Sequence, residues 1–217
     1  MPLFSIIVPH YQGTIRHEIF CRGIESLKAQ SFKDFELLCY HDGPLLDPSL
    51  PMPAPIITTE QRYNDFGHSL RDLGIRQASG DYIVHFNADN ILYPFALETI
   101  AAEIRRQPRA IDPQGNVIDP DHIIIFPIKM HGLQRFRGKL MQFKAADGSM
   151  VPFYEILTGN PPIVQNIDAM QLVMKRSLWL AEGGWYDKRN MSDGYMYQAF
   201  AKKYGYRTVG PVLGEHY

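Results

Sequence analysis

Phe4-Ser5-Ile6-Ile7-Val8-Pro9-His10-Tyr11 opens with an apolar, β-branched run and meets a proline. Such a run reads as a buried strand that ends at the mouth of a parallel sheet, since strands covered on both faces carry few polar residues. An amphipathic helix is expected next. Ile15, Ile19, Phe20, Ile24 and Leu27 recur three and four apart across residues 15–29, the spacing of one helix face. Residues 35–40 return to strand character and break at Asp42-Gly43-Pro44, a turn signal. One strand, helix, strand unit is thus traced within the first 44 residues.

The alternation continues. After a proline-rich connection come a short strand at 56–59, a helix at 69–78 stopped by Ser79-Gly80, a strand at 82–86, and a helix opened at Pro94 and stopped by Pro108. A βαβα succession predicts a mostly parallel sheet with helices on both faces, the three-layer α/β/α class. The second half is less regular. Asp112-Pro113-Gln114-Gly115-Asn116 and Asp119-Pro120-Asp121 read as turns flanking a short hairpin, followed by a strand at 122–128. Residues 130–162 show no clean period, and 170–174, 177–182 and 193–204 read as a strand, a short helix and a longer helix.

At 217 residues the chain suits one domain with a full core. Hydrophobic residues at 45% and charged residues at 21% exclude a disordered or fibrous chain, and a net charge of −1 offers no field to hold nucleic acid. Cys21 and Cys39 sit in apolar segments and read as free thiols of a reducing compartment. The N-terminal apolar run is too short for a signal peptide or membrane span. A cytoplasmic protein is expected, with peripheral membrane contact left open.

Three polar clusters follow strands: Pro9-His10-Tyr11, then Asp42, then Asn87-Ala88-Asp89-Asn90. Ligands of open α/β sheets bind beyond the carboxyl ends of the strands, so these residues are expected to meet in one crevice. Asp89 offers a carboxylate, Tyr11 an aromatic face and Asp42 a hydrogen-bond acceptor. The bland readings are a solvated turn for Asp89, a sheet-capping ring for Tyr11 and a turn start for Asp42.

From Phe4 to about Tyr206 the chain resembles glycosyltransferase family 2, inverting enzymes of the GT-A fold. Val8-Pro9-His10-Tyr11-Gln12 is similar to the family's Pro-x-Tyr-Asn, and Ser26-Leu27-Lys28-Ala29-Gln30 to its Ser-Leu-x-x-Gln. His41-Asp42-Gly43-Pro44 stands where the family has Asp-Asp-Gly-Ser, Gly67 to Ile75 resembles Gly-x-Ser-x-x-Arg-Asn-x-Gly-Ile with one residue fewer, and Ala78 to Ile83 resembles Ala-x-Gly-x-Tyr-Ile. Asn87-Ala88-Asp89 takes the place of the metal motif Asp-x-Asp, with its first carboxylate replaced by an amide.

The resemblance implies a single GT-A domain over 1–217, with a nucleotide-binding half over about 1–95 and an acceptor-binding half over about 96–217. It implies a nucleotide-sugar donor, expected to be a UDP-sugar, contacted by Pro9, Tyr11, Asp42, Arg71, Asn87, Ala88 and Asp89, and a glycan or other hydroxyl-bearing acceptor. Asp89 is implied as ligand of a Mn2+ or Mg2+ ion that bridges the diphosphate, and His216 as a further ligand, against the alternative of a solvated terminal histidine. Arg71 has a second reading as a helix-surface ion pair. The general base is implied at Asp193, in Met191-Ser192-Asp193-Gly194-Tyr195 after Gly183-Gly184-Trp185-Tyr186-Asp187, where Ser192 replaces a family glutamate. Ser192 or Asp193 would equally serve as a helix N-cap. Asp168 is placed near the sugar or acceptor.

Two rival functions remain from the sequence. A nucleotidyltransferase shares the layered fold, but His10-Tyr11-Gln12-Gly13-Thr14-Ile15-Arg16 has one glycine and no lysine to cradle phosphates. A sugar-nucleotide-binding module without turnover is motivated by Asn87 and Ser192.

Overall fold

The computed structural model describes residues 1–106, 110–111, 117–118, 123–136, 139–142 and 154–217. In chain order its strands and helices are β1 (Phe4–His10), α1 (His17–Lys28), β2 (Phe35–His41), β3 (Ile56–Thr58), α2 (His68–Gln77), β4 (Tyr82–His85), β5 (Ile91–Leu92) and α3 (Ala96–Arg105). Then follow β6 (Ala110–Ile111), β7 (Val117–Ile118), β8 (Ile123–Ile125), β9 (Ile128–His131), β10 (Leu133–Phe136), β11 (Lys139–Gln142) and β12 (Tyr154–Leu157). The chain closes with β13 (Leu172–Lys175), α4 (Arg176–Ala181), α5 (Ser192–Tyr204), β14 (Arg207–Thr208) and β15 (Gly214–His216).

Seven strands form the central sheet in the order β14-β8-β13-β4-β1-β2-β3. All neighbours pair parallel except at β13, which runs antiparallel to both β4 and β8. The mostly parallel sheet read from the sequence is therefore present, with one reversed strand. Alternation along each strand divides the core in two. Phe4, Ile6, Val8, Val84 and Phe86 join Phe20, Ile24 and Leu27 of α1 and Leu97 and Ile100 of α3 in one apolar layer. Ile7, Ile83, Ile123, Ile125, Leu172 and Met174 join Leu70 and Ile75 of α2, Trp179 of α4, and Met196, Tyr197 and Phe200 of α5 in the other. Helices thus cover both faces, giving the three-layer α/β/α arrangement.

Element limits move by one to two residues where caps and prolines decide them. The strand expected at 122–128 is two: Pro127 cannot donate to a ladder, and the chain leaves the central sheet after β8 to enter a smaller one, ordered β12-β9-β15-β5. The 130–162 segment, without period in the sequence, holds the β10–β11 and β9–β12 antiparallel pairs. The hairpin expected near 112–121 exists as β6 paired with β7, while its two turns lie outside the described residues.

Because β1, β2 and β4 run in register and in one direction, their carboxyl ends lie on one sheet edge. The Asp42 N–H donates to the His10 carbonyl at 2.9 Å, which starts the post-strand loops side by side. The loop after β4 is pressed onto α1 at Gly23, where a Cβ would stand 2.7 Å from the Ala88 carbonyl oxygen and 3.1 Å from that of Asn90. Alanine is about 1 kcal/mol better than glycine in a helix interior, but forcing atoms into packed backbone costs about 1–3 kcal/mol. Gly23→Ala is therefore expected to lower the denaturation midpoint, as read by urea unfolding. A variant more stable than wild type would show that the 88–90 loop yields freely.

Candidate active site

Two confluent cavities open along the carboxyl edge of the sheet. The first, about 570 Å3, is lined by Pro9, Tyr11, Asp42, Arg62, Asn64, Ala88 and Asp89 among others. The second, about 540 Å3, is lined by His68, Gln165, Asp168, Met191 and Asp193 among others. Phe66, Arg71, Asn87 and His216 line both and form the seam between them. Every site residue expected from the sequence therefore borders one continuous depression.

Asp42 is nearly buried, and its two carboxylate oxygens accept the backbone N–H groups of Tyr63 at 2.7 Å and Asn64 at 3.0 Å. A carboxylate offers about four acceptor sites, so two remain. Tyr11 is half-buried, and the Arg62 guanidinium lies 3.7 Å over its ring and 3.6 Å from the Asp42 carboxylate. Arg62 carries no sequence signal, because it sits in an irregular loop and meets Tyr11 only through the fold. Beneath Tyr11, His41 takes the Gln12 N–H on Nε2 at 3.0 Å and holds the Gly43 carbonyl with Nδ1 at 2.8 Å, which fixes its tautomer.

Arg71 is only 4% exposed, the one Lys or Arg among the described residues in the buried class, so the surface ion-pair alternative fails. It donates through Nη1 to the Phe66 carbonyl at 2.9 Å and through Nη2 to Asn87 Oδ1, and it lies 5.1 Å from the Trp185 ring centroid. Its buried Nε has no partner among the described residues. Desolvation pulls its pKa down, while Tyr197, Asp193, Asp168 and Asp65 pull it up. The amide of Asn87, in place of a carboxylate, thus hydrogen-bonds the cation without neutralising it.

Asp89 is partly buried, and burial pushes its carboxyl upward, with Asp168 adding to the push and His216 and Arg22 opposing it. His216 reaches the seam because β15 pairs with β5, just after the Asp89 loop, and with β9. Its neighbour Glu215 points the other way and accepts Tyr93 and Tyr217 hydroxyls at 2.7 and 2.8 Å and the His131 ring. Burial raises the Glu215 carboxyl, but these donors outweigh it and bring it down to about 2. The strand carrying His216 is thereby anchored. His216 Nε2 is 3.6 Å from Asp168, and its buried Nδ1 has no partner among the described residues.

Magnesium and manganese take oxygen-rich ligands, and magnesium commonly takes only one or two protein groups completed by substrate phosphates and water. The Asp89 carboxylate and the orphaned His216 nitrogen fit a cation of that kind. Among the described residues, no three His, Cys, Asp or Glu side chains form a ready metal cage.

Asp193 stands in the first turn of α5. The N-cap is Met191, at φ 61°, with no side-chain cap bond, so neither Ser192 nor Asp193 caps the helix. Ser192 is buried and accepts the Trp185 indole N–H at 3.1 Å, which leaves its own proton for His68 Nε2 at 3.4 Å. His68 suits that role as a neutral ring, brought down to about 4 by burial and by Arg71. The Asp193 carboxyl is pushed up to about 6 by burial and by the Asp168 charge, against the pull of the Gly194 N–H and Arg71. Asp168 itself accepts the Met170 N–H at 3.0 Å and faces His216 with its other oxygen. Like charges that share a poorly solvated site raise each other's pKa.

Four non-glycine residues among those described hold positive φ: Asn64 at 54°, Phe66 at 59°, Gln165 at 72° and Met191 at 61°. All four line the cavities. Strained backbone gathered at one depression is an independent mark of a functional site, and nothing in the sequence announces it.

The family model for glycosyl transferase family 2 matches residues 5–154, well over half of the chain. A Haemophilus influenzae protein described as an uncharacterized glycosyltransferase is 31% identical over 105 residues, 45% of this chain and 40% of the relative, so the match spans less than half of that relative's length. Among solved structures, a 1–349 fragment of S. aureus TarS superposes with TM-score 0.65 at 14% identity over 98% of this chain and 59% of its own, and it has also been solved in complex with UDP-GlcNAc. The mannosyltransferase PcManGT from Pyrobaculum calidifontis, in complex with GDP-Man and Mn2+, gives TM-score 0.59 at 14% identity over 99% of this chain and 56% of its own. At that identity the superpositions speak for the fold, while the family match rests on the sequence itself: this chain belongs to glycosyl transferase family 2.

Proposed function

We propose that the chain transfers a sugar from a UDP-sugar to a hydroxyl-bearing acceptor with inversion at the anomeric carbon. The observation that carries this reading is the pair of cavities joined at Arg71, Asn87 and His216, with Asp42 and Asp89 on one side and Asp193 on the other. The nucleotide occupies the first cavity, its base beside Tyr11 with the imide N–H on a free acceptor site of Asp42. Pro9 and Ala88 shape the floor of that cavity, and Arg71 and Asn87 face the diphosphate and the sugar. A divalent cation, held by Asp89 and His216, supplies positive charge to the leaving diphosphate.

The acceptor enters the second cavity, the main contribution of the chain's second half. Single displacement needs one base and no enzyme nucleophile. Asp193, ionised, takes the hydroxyl proton as the acceptor oxygen attacks the face opposite the leaving group. Its raised pKa suits the task, since a carboxylate titrating near 6 is a stronger base than an ordinary one and is still ionised at neutral pH. Arg71 stays charged at the seam and favours both the ionised Asp193 and the charge building on the diphosphate.

The reading is tested by donor binding, turnover and the stereochemistry of the product. UDP and UDP-sugars are expected to bind more tightly with Mn2+ than with chelator, and Asp89→Ala is expected to weaken donor binding and turnover together in calorimetry and rate assays. Wild-type turnover in Asp89→Ala would remove the metal assignment. Asp193→Asn is expected to keep donor affinity while losing about two to four orders of magnitude in turnover, the usual worth of general base catalysis. NMR of the product is expected to show inverted configuration; a retained configuration, or a variant within a few-fold of wild type, would overturn the base. A wild type that binds donor yet leaves it intact with every acceptor and with water would favour the binding-module alternative. Because the base works deprotonated, turnover is expected to fall as pH drops through about 6. Asp168→Asn, which removes the neighbouring negative charge, is expected to move that limb to lower pH; an unmoved limb would detach the profile from Asp193.

A further inference from the structure

Phe66 is an aromatic side chain 74% exposed to solvent, yet its backbone is held in an unusual conformation. Its φ of 59° lies in the left-handed region that bulky L residues rarely adopt. Three attachments hold it there. The Phe66 carbonyl accepts Arg71 Nη1 at 2.9 Å, the preceding Asp65 carboxylate takes the Ser69 N–H at 2.9 Å, and Tyr63 and Asn64 are tied to Asp42. Gly67 follows at φ 78°, and a Cβ there would stand 2.7 Å from the Pro9 side chain, so the loop is also pressed against the end of β1. Among the described residues the ring has one aromatic neighbour, His68, at 6.1 Å between centroids. A fixed backbone thus holds out a largely uncovered ring.

The ring's location narrows its use. Under the functional reading above, on which this inference rests, the diphosphate lies in the cavity of Asp89 and the base Asp193 in the other, so the sugar being transferred must straddle the seam. The seam residues are Phe66, Arg71, Asn87 and His216. Arg71, Asn87 and His216 present nitrogen and oxygen atoms suited to hydroxyls and phosphate. Phe66 alone presents an apolar face. A pyranose has a hydroxyl-rich rim and a face of C–H bonds, and the slightly positive C–H groups suit the negative face of an aromatic ring. We propose that Phe66 is the stacking platform for the donor's hexopyranose ring, a specificity-determining contact that recognises the sugar and not the nucleotide.

The test compares the affinity of a nucleotide sugar with that of its nucleotide, since only the difference reports on the sugar. Calorimetric titrations of UDP, UDP-glucose, UDP-galactose and UDP-GlcNAc, and of GDP and GDP-mannose, are made on wild type, Phe66→Ala, Phe66→Tyr and Phe66→Gly. For the nucleotide sugar that wild type binds best, Phe66→Ala is expected to lose about five- to tenfold in affinity while the free nucleotide changes less than twofold, and Phe66→Tyr to restore the affinity. Phe66→Gly, which removes the ring and relieves the backbone, is expected to show the same selective loss at equal or higher melting temperature. Equal weakening of sugar nucleotide and nucleotide would assign Phe66 to loop structure and overturn the platform, as would an unchanged sugar increment. Failure of wild type to bind any nucleotide or nucleotide sugar would instead strike the functional reading itself.

Discussion

A buried guanidinium is the constraint around which this molecule is arranged. Removing a charge from water is costly unless it is hydrogen-bonded and balanced nearby. Arg71 meets that demand by drawing in parts that are distant in sequence: the Phe66 carbonyl from the loop before α2, the Asn87 amide from the loop after β4, the Trp185 ring, and the fields of Asp168 and Asp193. Each is a wall of the depression. The need to accommodate one cation and the construction of the site are the same physical fact.

Around that cation lies a layer of buried polar and aromatic groups. His85, fully buried with neither ring nitrogen partnered, lies edge-on to Trp179 and Trp185, and burial together with Arg71 drives its pKa down. His68 stacks on Trp185 on the other side. Imidazoles that stay neutral near a buried arginine add no second positive charge. His68 also meets the start of α5 at Ser192, which accepts the Trp185 indole N–H, so Ser192 serves as a joint between helix and aromatic layer.

The sequence was most legible where burial imposes a period. The strands at 4–8, 35–40 and 82–86 and the helices between them announced themselves because apolar residues there must face one of two core layers. The residues that follow β1, β2 and β4 came next, since residues after parallel strands share an edge by construction. Arg71 was ambiguous because helix spacing says which face a residue occupies and not what stands above it; only the meeting of α2 with Trp185 decides. β15 was invisible, since Gly214-Glu215-His216 is too short for a period and is ordered by its partners β5 and β9. Arg62, Phe66, Gln165 and Met191 escaped for a different reason: their significance lies in backbone angles and cross-loop contacts that no local pattern encodes.

The attachment of Tyr63 and Asn64 to Asp42 has a thermodynamic consequence. The Asp42 carboxylate, which on the proposed reading faces the nucleobase, is hydrogen-bonded to the same short arm that carries Phe66, three residues from Tyr63. Any occupant that alters the Asp42 bonds alters the free energy of holding that arm in its left-handed posture. Linkage makes such an influence mutual: if filling the base end steadies the arm, then loading the arm tightens the base end by the same factor. On that reading the two ends of the depression would act as one cooperative unit, coupled through the Tyr63 and Asn64 main-chain amides.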